Sequence, residues 1–335
     1  MRPKLPLFYP IIPESSSPFY DFVNNLSFRI EKRTSIGKYG AFPSLQIQPV
    51  FTILIYIIVH IWRKKGKSML YDAHMHTHHS GDSDAPVKEM IQAAINKGLD
   101  GICFTDHFDY DYPDDPDLFL LDFDAYYKEV AEFRDRYAGQ FTIRWGVEIG
   151  LQPQIANVNR EATARYPFDF VIGSSHVVHG IDPYYPKYYE GRTEAEAYLE
   201  YFESILENLH TDVDFDVYGH IDYVVRYGPN QNRDYSYKKY SDVIDEILHT
   251  LIQQGKGIEI NTGGFKYGLG HPNPTEDIIQ RYRELGGEII TIGADAHAPE
   301  HVAYDFAKVP DILRAAGFRY YTVFDQRKPQ FISLT

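Results

Sequence analysis

Imidazoles and carboxylates recur in this sequence at the ends of short apolar runs. The first run closes in Asp72-Ala73-His74-Met75-His76 and is followed by Thr77-His78-His79-Ser80-Gly81-Asp82. Later runs close in Thr105-Asp106-His107, Gly146-Val147-Glu148, Ser174-Ser175-His176, Gly219-His220-Ile221-Asp222 and Gly293-Ala294-Asp295-Ala296-His297. On a strand, residues i and i+2 share a face, so His74 with His76, and Asp295 with His297, can each grip one ion. A lone HxH pair says little. Six run ends that all bear such groups are costly to bury unless cations compensate them. The candidate ligands are His74, His76, Asp82, His107, Glu148, His176, His220, Asp295 and His297. They exceed the needs of one ion and suit two or three, with a carboxylate such as Glu148 as bridge. Imidazole and carboxylate without thiolate favour Zn, Fe or Mn and exclude a cysteine-type structural zinc. Three divalent ions would outweigh the three carboxylates and leave the site net positive. That suits an anionic substrate such as a phosphate monoester, whose in-line displacement paired metals assist.

These groups need a scaffold that brings distant run ends together. The spacing predicts strands or apolar entries at Leu70–His74, Gly101–Thr105, Phe141–Ile149, Phe168–Ser174, Phe215–Gly219, Gly257–Ile260, Glu288–Gly293 and Phe318–Phe324. It predicts helices at Pro86–Lys97, Asp124–Tyr137, Glu194–His210, Tyr240–Gln254, Ile278–Leu285 and Asp311–Ala316. Alternating strands and helices imply parallel βαβ units. About seven such units fit a closed α/β barrel, where all strand ends converge on one rim. An open doubly wound sheet is the alternative, but no glycine-rich dinucleotide fingerprint follows the first strand.

Composition narrows the class. With 33 Lys+Arg against 47 Asp+Glu the formal charge is −14, which argues against a nucleic-acid partner. The 28 Tyr and 21 Phe exclude a largely disordered chain. Cys103 is the single cysteine, so no disulfide framework exists. Its apolar strand neighbours predict a buried, inert thiol. Residues 1–68 differ from the rest: they are basic, and of the histidines they contain only His60. Their apolar run Val50–Trp62 precedes Arg63-Lys64-Lys65-Gly66-Lys67. As a helix it rises about 20 Å, short of a bilayer core of about 30 Å, and extension back to Leu45 takes in Gln46, Gln48 and Pro49. Three readings of this segment stand: translation beginning at Met69, a membrane anchor across residues 45–62, and a soluble extension. The domain from residue 69 to 335 is expected in the cytoplasm, free or held there by that anchor.

The ordered segments DAHMHTHHSGDS, ICFTDH, GVEIG, GSSH, YGHID, EINTGG and GADAH resemble the polymerase-and-histidinol-phosphatase (PHP) superfamily, most closely its stand-alone histidinol-phosphatases. The likeness begins near Leu70 and leaves residues 1–68 outside. It implies a distorted (β/α)7 TIM-like barrel, a trinuclear metal centre, and hydrolysis of L-histidinol phosphate in histidine biosynthesis. Another phosphorylated small molecule or nucleotide is the alternative substrate. By resemblance, His74, His76 and Asp295 hold the first metal, and Glu148 bridges to a second held by His176 and His220. Asp82, His107 and His297 hold the third. Glu148, His176 and Asp295 thus act through the metals, whose bridging hydroxide attacks phosphorus. The resemblance places a basic residue after EINT, here Lys266; Arg226 and Arg233 are further phosphate candidates. Glu259 and Asn261 could face the amino alcohol or imidazole, and His179 could protonate the leaving group. Asp72, Asp106 and Asp222 read as orienting or turn residues, and His78 and His79 as loop residues. His210, His249 and His301 read as surface residues on helices. The loop Asp182–Tyr189 (DPYYPKYY) reads as a lid over the substrate ring or a packed surface loop.

Overall fold

The computed structural model describes residues 69–334. The apolar run of residues 45–62 lies outside them. Among the described residues no helix is long and apolar enough to cross a membrane.

Seven parallel staves form the core. They are β1 (Tyr71–Asp72), the broken pair β2 (Gly101–Phe104) and β3 (His107–Phe108), β4 (Thr142–Gly150), β5 (Phe170–Ser174), β6 (Val217–Tyr218), β7 (Gly257–Asn261) and β8 (Ile290–Gly293). Their order is β1-β2-β4-β5-β6-β7-β8, with β3 also on β4. β2 and β3 keep one register along β4, Cys103 opposite Arg144 and His107 opposite Glu148, so they form one stave interrupted at Thr105-Asp106. These strands are short and apolar on both faces, as parallel strands covered by helices must be. The seam between first and last staves is closed by the segments that carry His74, His76 and Asp295. Ala73 N donates to Ile292 O (2.9 Å), Asp295 N to His74 O (2.9 Å) and His76 N to Ala296 O (2.8 Å).

Helices α1 (Val87–Asn96), α2 (Phe123–Arg136), α3 (Ala156–Arg165), α4 (Glu194–Leu209) and α5 (Ser241–Gln253) cross between staves. The short α6 (Gly263–Lys266) and the helix α7 (Glu276–Glu284) follow β7, and α8 (Val309–Ala315) follows β8. Apart from α3, each long helix shows the expected apolar stripe. In α1 the buried residues are Val87, Met90, Ile91 and Ala94, the i, i+3, i+4, i+7 spacing of a core-facing surface. α4 starts with a capping box between Thr193 and Glu196, which satisfies the free amides of its first turn.

Two elements depart from expectation. Helix α3 gave no sequence signal because its buried face is Ala156, Asn159, Ala162 and Thr163, too weakly apolar to show a period. The segment Phe318–Phe324 does not extend the alternation. β9 (Tyr320–Asp325) turns back at Gln326 and Arg327 into β10 (Lys328–Ser333), an antiparallel hairpin. Both turn residues have positive φ (51° and 61°), as a two-residue turn matching strand twist requires. Asp169 and Asp216, just before β5 and β6, hold this turn through Gln326 N, Arg327 N and Arg327 Nε. The hairpin therefore packs at the end of the barrel opposite the histidines.

Candidate metal centre

The strand ends deliver the nine expected ligands to one place. Glu148, fully buried at the end of β4, is the hub. Its Oε2 lies 3.1 Å from His74 Nε2, 3.5 Å from His76 Nε2 and 3.3 Å from His107 Nδ1. Its Oε1 lies 2.9 Å from His220 Nε2 and 3.3 Å from His176 Nε2. Asp295 Oδ1 stands 3.8 and 3.5 Å from His74 and His76 Nε2. Asp82 Oδ2 stands 3.0 Å from His297 Nε2 and 3.6 Å from His107 Nε2. Three sets result: His74, His76, Glu148 and Asp295; Glu148, His176 and His220; Asp82, His107 and His297. Asp295 reaches its place in a left-handed backbone conformation (φ 54°), strain of the kind that packed sites retain. Gly293 precedes it because a Cβ there would strike the Glu259 carboxylate and His74.

These donors fit divalent ions better than they fit one another. Tetrahedral coordination at about 2.0–2.1 Å puts neighbouring donor atoms about 3.3 Å apart, the spacing found around Glu148. The protons are also accounted for elsewhere. His74 Nδ1 pairs with Glu259 Oε1 at 2.7 Å. Ser80 Oγ donates to Asp106 (2.9 Å), so it accepts from His76 Nδ1 (3.1 Å). In the neutral tautomer so defined, the two Nε2 atoms, 3.1 Å apart, turn lone pairs toward each other and two carboxylates. His176 Nδ1 is likewise taken by Asp109 Oδ1 at 2.7 Å, which leaves its Nε2 bare toward Glu148. His107 Nδ1, Asp109 Oδ2 and His220 Nδ1 are buried without hydrogen-bond partners. A set of converging donors lacking protons between them calls for cations.

Burial opposes charge on His74, His107 and His176, yet the carboxylates Glu259, Glu148 and Asp295 around His74, Asp82 and Glu148 around His107, and Asp109 and Glu148 around His176 hold all three above the usual imidazole value, so the cluster attracts positive charge. Burial opposes ionisation of Glu148, yet His74, His176 and His107 hold its carboxyl well below the usual range. Burial also opposes ionisation of Asp295, but His74 and Arg226 hold it well below its ordinary value. Burial and the neighbouring His297 and His107 push His76 well below the usual imidazole value, which keeps it a neutral ligand.

The sequence placed Glu259 and Asn261 against substrate, and the structure corrects both. Glu259 sits behind the ligands, with Oε1 on His74 Nδ1 and Oε2 accepting from His220 N (3.2 Å) and Asn261 Nδ2 (3.0 Å). Asn261, fully buried, accepts from Arg226 Nη2 at 2.9 Å. Their strand-end position was right; both side chains point into the wall. Glu259→Gln is expected to weaken the tightest metal equivalent about 10–100-fold in a chelator competition. Unchanged affinity would contradict its role. Two other candidates lie away from the cluster. His179 enters a turn with φ 48° and pairs at the surface with Glu200 and Glu207 of α4, both at 3.0 Å. Arg233 is exposed and contacts Asn230. His78 and His79 are loop residues, as expected, beside Glu129.

A cavity of about 640 Å³ opens over the cluster, within the range of small-ligand sites. Arg226 and Lys266 line it together with Asp82, His107, His176, His220, Asp295 and His297. Arg226 donates to Asn273 Oδ1 (2.9 Å), Asp295 Oδ2 (2.8 Å) and Asn261 Oδ1 (2.9 Å). Lys266 Nζ lies 3.2 Å from Asp295 O. In the loop after β5, Tyr184 and Tyr185 line the cavity, while Tyr188 and Tyr189 are buried in packing. Among the ionisable groups on the wall, Asp109 escaped the sequence reading, Asp182 opens the loop already singled out, and His301 was expected at the surface of a helix.

The profile of the PHP domain matches residues 72–263, which carry seven of the nine ligands. The chain belongs to the PHP family. Its PHP relatives include a probable histidinol-phosphatase of Clostridium acetobutylicum, 35% identical over 241 residues, 71% of this chain and 90% of that one. A histidinol-phosphatase of Lactococcus lactis subsp. lactis is 30% identical over 261 residues, 77% of this chain and 95% of that one. Among solved structures, a histidinol phosphate phosphatase from Lactococcus lactis subsp. lactis, complexed with Zn, L-histidinol and phosphate, superposes with a TM-score of 0.73. It is 29% identical, and the match covers 78% of this chain and 98% of that one.

Proposed function

We infer that this PHP protein is a metal-dependent phosphomonoesterase that hydrolyses L-histidinol phosphate to L-histidinol and phosphate, with two or three divalent ions among Zn, Fe and Mn. The carrying observation is the cavity itself: converging imidazole and carboxylate donors at its base, and the fixed guanidinium of Arg226 on its wall. The three ligand sets would hold divalent ions, which would supply Lewis-acid polarisation of the phosphoryl oxygens and a water nucleophile at neutral pH.

The chain's own groups do the rest. Arg226 spends three of its five N–H donors on Asn273, Asp295 and Asn261, which leaves one on each terminal nitrogen for phosphate oxygens. Held rigidly before substrate arrives, it meets developing charge without reorganisation. Lys266 adds a point charge beside it. At the cavity wall Asp182 is buried, accepts from Tyr112 Oη (2.7 Å) and Tyr184 N (2.7 Å), and stands among tyrosine rings. A buried carboxylate flanked by aromatic faces suits a cationic amine or imidazolium. Histidinol carries both an amine and an imidazole.

The test is phosphate release by the Zn- or Mn-loaded full chain across a panel of phosphomonoesters. Turnover of L-histidinol phosphate above the others is expected. Robust hydrolysis of the others with none of this one would overturn the substrate. Asp182→Asn keeps the shape and the tyrosine bond. It is expected to raise KM for L-histidinol phosphate about tenfold and leave a cation-free ester nearly unaffected. Equal losses on both substrates would remove Asp182 from recognition.

A further inference from the structure

Outside the barrel mouth, a second group of metal-type donors stands on the loop that joins β1 to α1. His78 and His79 are adjacent in sequence but their rings lie side by side, centroids 4.4 Å apart and tilted by 32°. Both Nε2 atoms approach the same oxygen of Glu129 on α2, at 3.3 Å for His78 and 2.8 Å for His79. The three donor atoms all lie within 4.8 Å of one another. Glu129 and His79 are half-buried and His78 is exposed, so the site opens to solvent on one side.

The loop is already fixed from within. Asp106 Oδ1 accepts from Thr77 N (2.5 Å) and from Ser80 Oγ (2.9 Å), and His78 N donates to Ala85 O (2.9 Å). The outward-facing pair is therefore held in place by contacts that do not involve Glu129. An ordered His–His–carboxylate set at ligand spacing needs little reorganisation to receive an ion. Two imidazoles with one carboxylate select a borderline ion such as Zn²⁺ and disfavour Mg²⁺ or Ca²⁺, which prefer oxygen donors. None of the three donors belongs to the nine at the barrel mouth.

We propose that His78, His79 and Glu129 form a separate, solvent-open Zn²⁺ site that clips α2 to the loop ending in Asp82. Three protein ligands leave its fourth position to water. The clip spans two elements, and Asp82 at the far end of the same loop reaches His297 and His107. Occupancy of the outer site thus bears on how firmly the third inner ligand set is held. The inference does not depend on the substrate.

The test is calorimetric titration of the metal-stripped full chain with Zn²⁺, comparing wild type, the double variant His78→Ala/His79→Ala, and Glu129→Gln. The double variant is expected to bind one equivalent fewer. Glu129→Gln, altered on a helix and so independent of the loop, is expected to weaken that same equivalent at least tenfold. Equal stoichiometry and affinity in all three proteins would overturn the proposal. So would a loss of several equivalents in the double variant with Glu129→Gln unchanged, which would report a displaced loop. Should the double variant fail to fold, Glu129→Gln decides alone.

Discussion

Glu148→Gln is expected to lower kcat/KM for L-histidinol phosphate by about 10³-fold or more, about 4 kcal/mol of transition-state stabilisation. The reason is geometric. The Glu148 carboxylate lies within 3.5 Å of five imidazoles, three on one oxygen and two on the other. It joins two ligand sets, and an amide removes the charge that both share. Glutamine preserves the volume, so packing should survive. Elemental analysis of the variant separates the metal role from a structural one: at least one equivalent should be missing while the thermal midpoint, read with metal withheld from both proteins, changes little. Wild-type turnover with wild-type metal content would show that Glu148 does not bridge.

Arg226→Lys should cost about 10²–10³-fold in kcat/KM, the usual cost of removing a placed donor from a developing negative charge. An ammonium cannot span Asn261, Asn273 and Asp295 at once, nor present two parallel N–H groups to phosphate. The stacked environment is lost as well, since Tyr223 and Tyr267 rings lie 5.5 and 5.0 Å from the guanidinium carbon. Metal content should stay near wild type, because Arg226 touches Asp295 through the oxygen that faces away from His74 and His76. Activity within about threefold of wild type would assign phosphate binding to other residues.

The metal centre was more legible in the sequence than the scaffold beneath it. The candidate ligands other than Asp82 were visible because each sits at the end of an apolar run, and parallel strands send all such ends to one rim. The same i, i+2 rule that pairs His74 with His76 also pairs His107 with Asp109, which holds His176. Glu259 and Asn261 show the limit of position alone. A strand end says that a side chain is near the mouth, but not whether it meets ligand or supports the residue that does. His179 and Asp182 sit in a loop without period, and a single left-handed turn at His179 decides that one faces α4 while the other lines the cavity. The hairpin β9–β10 escaped because its turn is Gln326-Arg327, a pair with no glycine or asparagine to signal positive φ. Tertiary bonds from Asp169 and Asp216 impose it instead.

The most direct measurement is metal content and phosphate release on one sample of the full chain, before and after chelation and again after Zn or Mn is restored. About two to three equivalents per chain are expected, with hydrolysis of L-histidinol phosphate lost on stripping and regained on reloading. Full hydrolysis by protein holding less than about one equivalent would contradict a centre built from these nine ligands.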